Sequence, residues 1–481
     1  MDVLLAIDKA IGNGAERLVR SHHARRLRNL GWSRALEPPG TGLWAAEQPP
    51  PRPGCSLEVL VDGAEALPRL VEELEQARSH VHLAGWFVSP DFALTRGSAQ
   101  VRLRDLLERL AERVPVRVLL WAGSPLPLFH PDRKNVDAVR DELTAGSKIH
   151  VATDSKERPL HCHHEKLVEI DDRVAFVGGI DLTTYAGDRF DTPAHEARDG
   201  VGWHDALSVL RGPIVADVAS HFAQRWQAVT GEQLQAPAPP DGRAGNVEVQ
   251  LVRTVPERVY DFAPAGDFRI LESYTRALRS AGKLIYLENQ FLWSSEIAAI
   301  LEQKLARPPA EDFRLVILLP ADPNDGGDDT RGQLGDLIEC DGGDGRLLAC
   351  SLYALGPQGP KPVYVHAKIG IVDDRWLTIG SANLNEHSMF NDTELNVVTH
   401  DAELARATRL ELWAEHLEVA PSEVERDPAD VIDQQWRPIA EEQLDRRRRG
   451  LPLTHRLMRL DHVSRRSARL LGPLQGLIVD G

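Results

Sequence analysis

Cysteine is scarce. The chain has four in 481 residues, Cys55, Cys162, Cys340 and Cys350, and none forms a C-x-x-C pair. That spacing excludes a cysteine metal knuckle and argues against a disulfide framework. A reducing interior is permitted. Cys162 reads as a small buried apolar residue. Long hydrophobic runs are absent as well, so no segment predicts a membrane span. The first residues lack a basic region followed by an apolar run, so no secretory signal is expected. The expectation is a cytoplasmic protein, with peripheral membrane association allowed. Positive charge is also in deficit. Lys and Arg total 56 against 72 Asp and Glu, a formal net charge of −16. Nucleic-acid binding without sequence preference depends on neutralising phosphates, so this balance argues against a nuclease.

Against these absences stand two matching octapeptides. His164 to Asp171 and His366 to Asp373 both read H-x-K-x-x-x-x-D, with 202 residues (366 − 164) between the histidines. Each is followed by an apolar run and a small-residue turn, VAFVGGID ending at Asp181 and WLTIGSAN ending at Asn383. Read as strands, residues i and i+2 share a face, so His164 lies beside Lys166 and His366 beside Lys368. An imidazole next to an ammonium suits a phosphate ester: one attacks or moves a proton, the other holds anionic oxygens. Asp171 and Asp373 fall at turns, where Asp bonds its own backbone. That role is favoured over direct catalysis, although both belong to the candidate catalytic set.

The doubled motif, with GGID and GSANLN, resembles the phospholipase D superfamily. So do Trp203-His204-Asp205 with Gly212-Pro213, the stretch Ile285 to Phe291 (IYLENQF), and Ser388-Met389 through Glu394-Leu395-Asn396. The likeness covers roughly residues 55 to 420 and is closer to phospholipase D proper than to the nucleases. It implies an α/β fold of two duplicated halves, each a mixed sheet flanked by helices, related by a pseudo-two-fold axis with one active site between them. It further implies that His164 is the nucleophile and His366 the acid/base. Lys166, Lys368 and Asn383 would hold the phosphoryl oxygens, with no metal or other cofactor. Asp205 and Glu394 match the family's acidic positions and are the candidates to fix the histidine rings, since a catalytic imidazole needs an acceptor on its other nitrogen. Position 181 is Asp where the second half has Asn383, so Asp181 joins the substrate-binding candidates with Ser381, Trp86, Asn289 and Gln290. Trp86 is expected as an apolar wall for lipid.

The implied activity is hydrolysis of glycerophospholipids such as phosphatidylcholine to phosphatidic acid through a phosphohistidine, with transfer to a second alcohol open to it. A cardiolipin synthase-like phosphatidyltransferase is the nearest alternative. A nuclease or a non-catalytic lipid-binding scaffold follows further off. The expected partner is a phospholipid at a membrane surface, with no nucleic acid, and a monomer suffices.

The remaining chain divides around this core. Residues 1–54 read as a basic helix and a Pro-rich connector, either docked on the body or a foot for an anionic membrane; docking is the simpler reading. Residues 55–230 and 246–420 repeat an alternation of strands and helices, joined by a linker at 231–245. Ala321 to Gly345 reads as a mobile acidic loop that does not match an EF-hand. Residues 421–481 read as a basic helical tail. His161-x-His163 could suggest a metal, but no carboxylate or cysteine has ligand-like spacing nearby in sequence.

Overall fold

The computed structural model describes residues 2–38, 42–45, 48–97, 100–126, 129–158, 161–184, 189–237, 242–322 and 327–460. It is an α/β structure of two sheets built by the same element order run twice. In the first half, the strands Val81–Gly85, Val116–Trp121 and His150–Asp154 lie parallel. The hairpin Leu167–Ile170 and Val174–Gly178 continues that sheet antiparallel, followed by Ala206–Arg211. In the second half, Leu284–Glu288, Arg314–Leu318 and Leu347–Ala354 are parallel. The hairpin Ile369–Val372 and Trp376–Gly380 follows, then Glu394–Thr399.

The central strands are almost continuously apolar because both faces are covered. Alternate residues enter different cores. Val118 and Leu120 pack under the outer helices of the first half, while Leu119 enters a core shared by both sheets. Ile285 and Leu287 pack outward, while Leu284 and Tyr286 enter the same shared core. The halves also exchange strands. Arg52–Val61 pairs with Ala206–Arg211 along its length and with Val247–Val255 near its start. Gly202–His204 adds parallel to Lys361–Val365 of the second half.

Several elements differ from the sequence reading. The first strand begins at Arg52, inside the expected connector. The helix Arg133–Thr144 and the strand His150–Asp154 stand where no element was expected. Gly327–Asp341 is a helix rather than a loop: Leu334 and Leu337 are buried against Ile297 and Leu301, a spacing obscured by Gly and Asp. Residues 323–326 lie outside the described residues. The expected tail is part of the body. Trp436 is buried in the shared core, and Leu457–Arg459 pairs with Leu347–Ala354. Residues 461–481 of the expected tail lie outside the described residues.

The N-terminal helix Asp2–Leu30 docks on the second half. Leu27 joins the core around Phe268 and Tyr274, and Arg26 pairs with Glu257 at 2.6 Å. Arg17, Arg25 and Arg28 stay exposed. No helix among the described residues is long and apolar enough to cross a membrane.

Candidate active site

Both H-x-K segments sit just before their strands, not within them; pairing begins only at Leu167 and Ile369. The reason is that their backbone groups bond across the seam between the halves. The N–H of His164 donates to the carbonyl of Thr393 at 2.9 Å, and that of His366 to the carbonyl of His204 at 2.8 Å. Each motif is thus anchored on the opposite half.

The side chains repeat this exchange. His164 Nδ1 lies 3.0 Å from Glu394 Oε1, and His366 Nδ1 lies 2.7 Å from Asp205 Oδ2. Each imidazole is held by a carboxylate of the other half. A carboxylate on Nδ1 fixes the ring and leaves Nε2 for chemistry. Glu394 is itself fixed by the hydroxyls of Ser381 and Ser388, so Ser381 supports the carboxylate rather than lining a substrate pocket.

The cations converge here too. Lys166 Nζ donates to the His164 carbonyl at 2.7 Å and lies 3.4 Å from Asp181 Oδ2. Lys368 Nζ donates to the His366 carbonyl and to Gln290 Oε1, which also accepts from Asn383 Nδ2 at 3.3 Å. Arg189, which no sequence pattern marks, donates to Asp181 at 3.1 Å and stacks 3.9 Å over Trp203. The site is therefore asymmetric. The first half places an Asp181–Arg189 pair where the second has the neutral amide of Asn383. Asp181 Oδ1 and Asn383 Oδ1 are buried without a hydrogen-bond partner.

Burial sets the protonation. It pushes the Asp205 carboxyl up to about 7, against the pull of the Lys368 ammonium. Burial likewise pushes Lys368 down to about 7. It also drives His366 well below its ordinary value, and the charges of Lys368, Arg189 and Lys166 push the same way. His366 is therefore a neutral imidazole in the free site. Lys166 and His164 of the first motif lower the His366 ring as well, so the two motifs lie within electrostatic reach of each other.

Other candidates take different places. Trp86 is buried, with its ring edge-on to His164 at 6.5 Å. Trp203 and Tyr364 flank His366, at 4.7 and 6.4 Å. Asn289 braces the turn, accepting from the N–H of Leu384 beside Asn383. Asp171 and Asp373 correct their place in the catalytic set, since they lie at the far end of their strands. Asp171 accepts the N–H groups of Arg78, Ser79 and His80, and Asp373 those of Gly282, Lys283 and Leu284. Both have positive φ, 60° and 52°, as an Asp in a tight turn tolerates. Beneath the site, His204 bridges Asp62 and Glu288 at 3.0 and 2.8 Å. Burial opposes its charge, but the two carboxylates outweigh it and hold the ring well above its ordinary value.

A family model described as cardiolipin synthase, PLD-like domain, matches residues 274–415. Phospholipase D A of Dictyostelium discoideum is 26% identical, over 80% of this chain. The chain spans only 37% of that relative's length. A cardiolipin synthase of Geobacillus thermodenitrificans is 24% identical, over 82% of this chain and 70% of its own. Among solved structures, a phosphatidylserine synthase of Haemophilus influenzae superposes with a TM-score of 0.52 at 12% identity, covering 82% of this chain and 93% of the other. That likeness is one of fold.

Proposed function

Because the chain belongs to the phospholipase D superfamily, we propose that it is a phosphodiesterase of glycerophospholipids working through a phosphohistidine. The observation that carries this reading is the pair of imidazoles, each held through Nδ1 by a carboxylate of the opposite half, among Lys166, Lys368 and Asn383. His164 Nε2 attacks phosphorus and the P–O bond to the head group breaks. His366 delivers the proton that the leaving alcohol needs. The anionic phosphodiester supplies the charge that lets His366 hold that proton, since the free site keeps the ring neutral. His366 then takes a proton from water, water oxygen attacks phosphorus, and the P–N bond breaks to release phosphatidic acid. Splitting one displacement into two easier ones is the advantage of the covalent route, and the two ammonium groups offset the charge on the phosphoryl oxygens. A second alcohol in place of water gives phosphatidyl transfer.

Transfer between two phosphatidylglycerol molecules is the second reading, favoured by the description of the matched family model and by the Geobacillus relative. One experiment separates the two. Phosphatidylcholine and phosphatidylglycerol are presented in mixed micelles, with and without ethanol, and products are resolved by head group. Phosphatidic acid, partly replaced by phosphatidylethanol when ethanol is present, is the expected result. His164→Ala is expected to remove both products, a loss on the order of 10⁴-fold or more. Cardiolipin and glycerol from phosphatidylglycerol, without phosphatidic acid, would establish the transferase. No turnover of either lipid would sink both.

A further inference from the structure

Sequence spacing gave the H-x-H at His161 no ligand partners. The fold supplies them from the other half. His387 lies on the short helix Glu386–Phe390 that follows the second motif, and Asp392 just beyond it. His161 Nδ1 stands 2.9 Å from His387 Nδ1 and 3.4 Å from Asp392 Oδ1. One ligand atom from each of the three lies within 4.8 Å of the others. We propose that His161, His387 and Asp392 form a binding site for a borderline divalent cation, zinc foremost, at the seam between the halves and separate from the phosphoryl chemistry.

The hydrogen-bond count argues for it. Two ring nitrogens and a carboxylate oxygen face one another, and a single ring proton between them serves only one pairing. The outer atoms of the same groups, Asp392 Oδ2 and His387 Nε2, are buried without any hydrogen-bond partner, so nothing holds either group from behind. A cation would satisfy three lone pairs at once. Nitrogens bound to one tetrahedral zinc at about 2.05 Å are roughly 3.3 Å apart, so small ring movements would close the site. Arg158, close in sequence, has its charge answered by Glu257 at 3.3 Å. His161 is only partly buried, at the solvent side of the cluster.

The cluster of His80, His82 and Glu169 does not share this deficit. His80 and His82 both find the Oε2 of Glu169, at 3.0 and 2.8 Å.

The position gives the site a purpose. The N–H of Cys162 donates to Asp392 Oδ1 at 2.9 Å, and that of Thr393 to the Cys162 carbonyl at 3.1 Å. A cation here would brace the two segments that carry His164 and its carboxylate Glu394.

The test is titration of the metal-stripped full chain with zinc, and with cobalt as a coloured substitute, alongside His387→Gln and Asp392→Asn. Wild type is expected to take up one equivalent with tetrahedral cobalt absorption and a raised Tm. Each variant is expected to bind on the order of 100-fold more weakly, at least the upper cost of losing a supporting partner. His161→Gln, at the rim, replaces either variant that fails to fold by circular dichroism. No uptake by wild type, or undiminished uptake by folded variants, overturns the proposal.

Discussion

Lys368 is the residue at which charge is most finely balanced. Its ammonium sits with Lys166, Arg189 and two histidines in a buried space, and burial brings it down to about 7. The folded-state value lies below the ordinary 10.5, so the side chain is charged below pH 7 and neutral above it. Tungstate, a phosphoryl mimic that stays dianionic over this range, should therefore bind more weakly as pH rises above 7, by up to about tenfold per unit. Lys368→Arg carries a permanent charge and should make the slope shallower, leaving the part that ionisation of Asp205 contributes. Calorimetric titration between pH 6 and 9 reads both. A tungstate affinity independent of pH in wild type would contradict the electrostatics of the site.

At the scale of the element, the strand-to-turn segments after each motif need glycine for different reasons. A Cβ on Gly179 would lie 2.1 Å from Asp205 Oδ1, a side-chain atom that can yield. A Cβ on Gly380 would lie 2.4 Å from the carbonyl of Leu395, which is backbone and cannot. Gly179→Ala should therefore displace the carboxylate that holds His366 and lower kcat about 100-fold with little change in Tm. Gly380→Ala should cost about 1–3 kcal/mol in denaturant unfolding. Equal stability losses in the two variants would refute the distinction.

The same elements show what the sequence conveyed. Strands such as Val116–Trp121 were legible because burial on both faces leaves an unbroken apolar run. The helix Gly327–Asp341 was not, because Gly and Asp dominate it and only packing against Ile297 and Leu301 makes it a helix. The two H-x-K pairs announced themselves by repetition. Their carboxylate partners lie 230 and 161 residues away, and the exchange between halves follows from the pseudo-symmetric docking, which no local spacing encodes. Arg189 stands in a loop without pattern, so only its contact with Asp181 reveals it.

Across the whole molecule, each half keeps a core under its outer helices, but their inner faces share a third. One core runs from Leu57, Val177 and Phe222 of the first half to Tyr286, Ile379 and Trp413 of the second, and the strand Arg52–Val61 belongs to both sheets. Halves joined only by a linker would melt apart. Here, exposing one half's inner face strips the other's, a loss of about 25 cal/mol for each Å² of apolar surface uncovered. Scanning calorimetry should show a single transition, coincident with loss of tryptophan fluorescence and of far-UV dichroism. Two resolved transitions would mean that the shared core is weaker than its packing indicates.

The exchange of carboxylates bears also on how such a chain can change over generations. A substitution at Glu394 disables a histidine carried by the other repeat, and one at Asp205 does the same in reverse. Neither repeat can drift alone. A recombinant that receives one repeat from a distant relative inherits two rings and two acids that were never fitted to each other, so the two repeats are passed on as a single heritable unit.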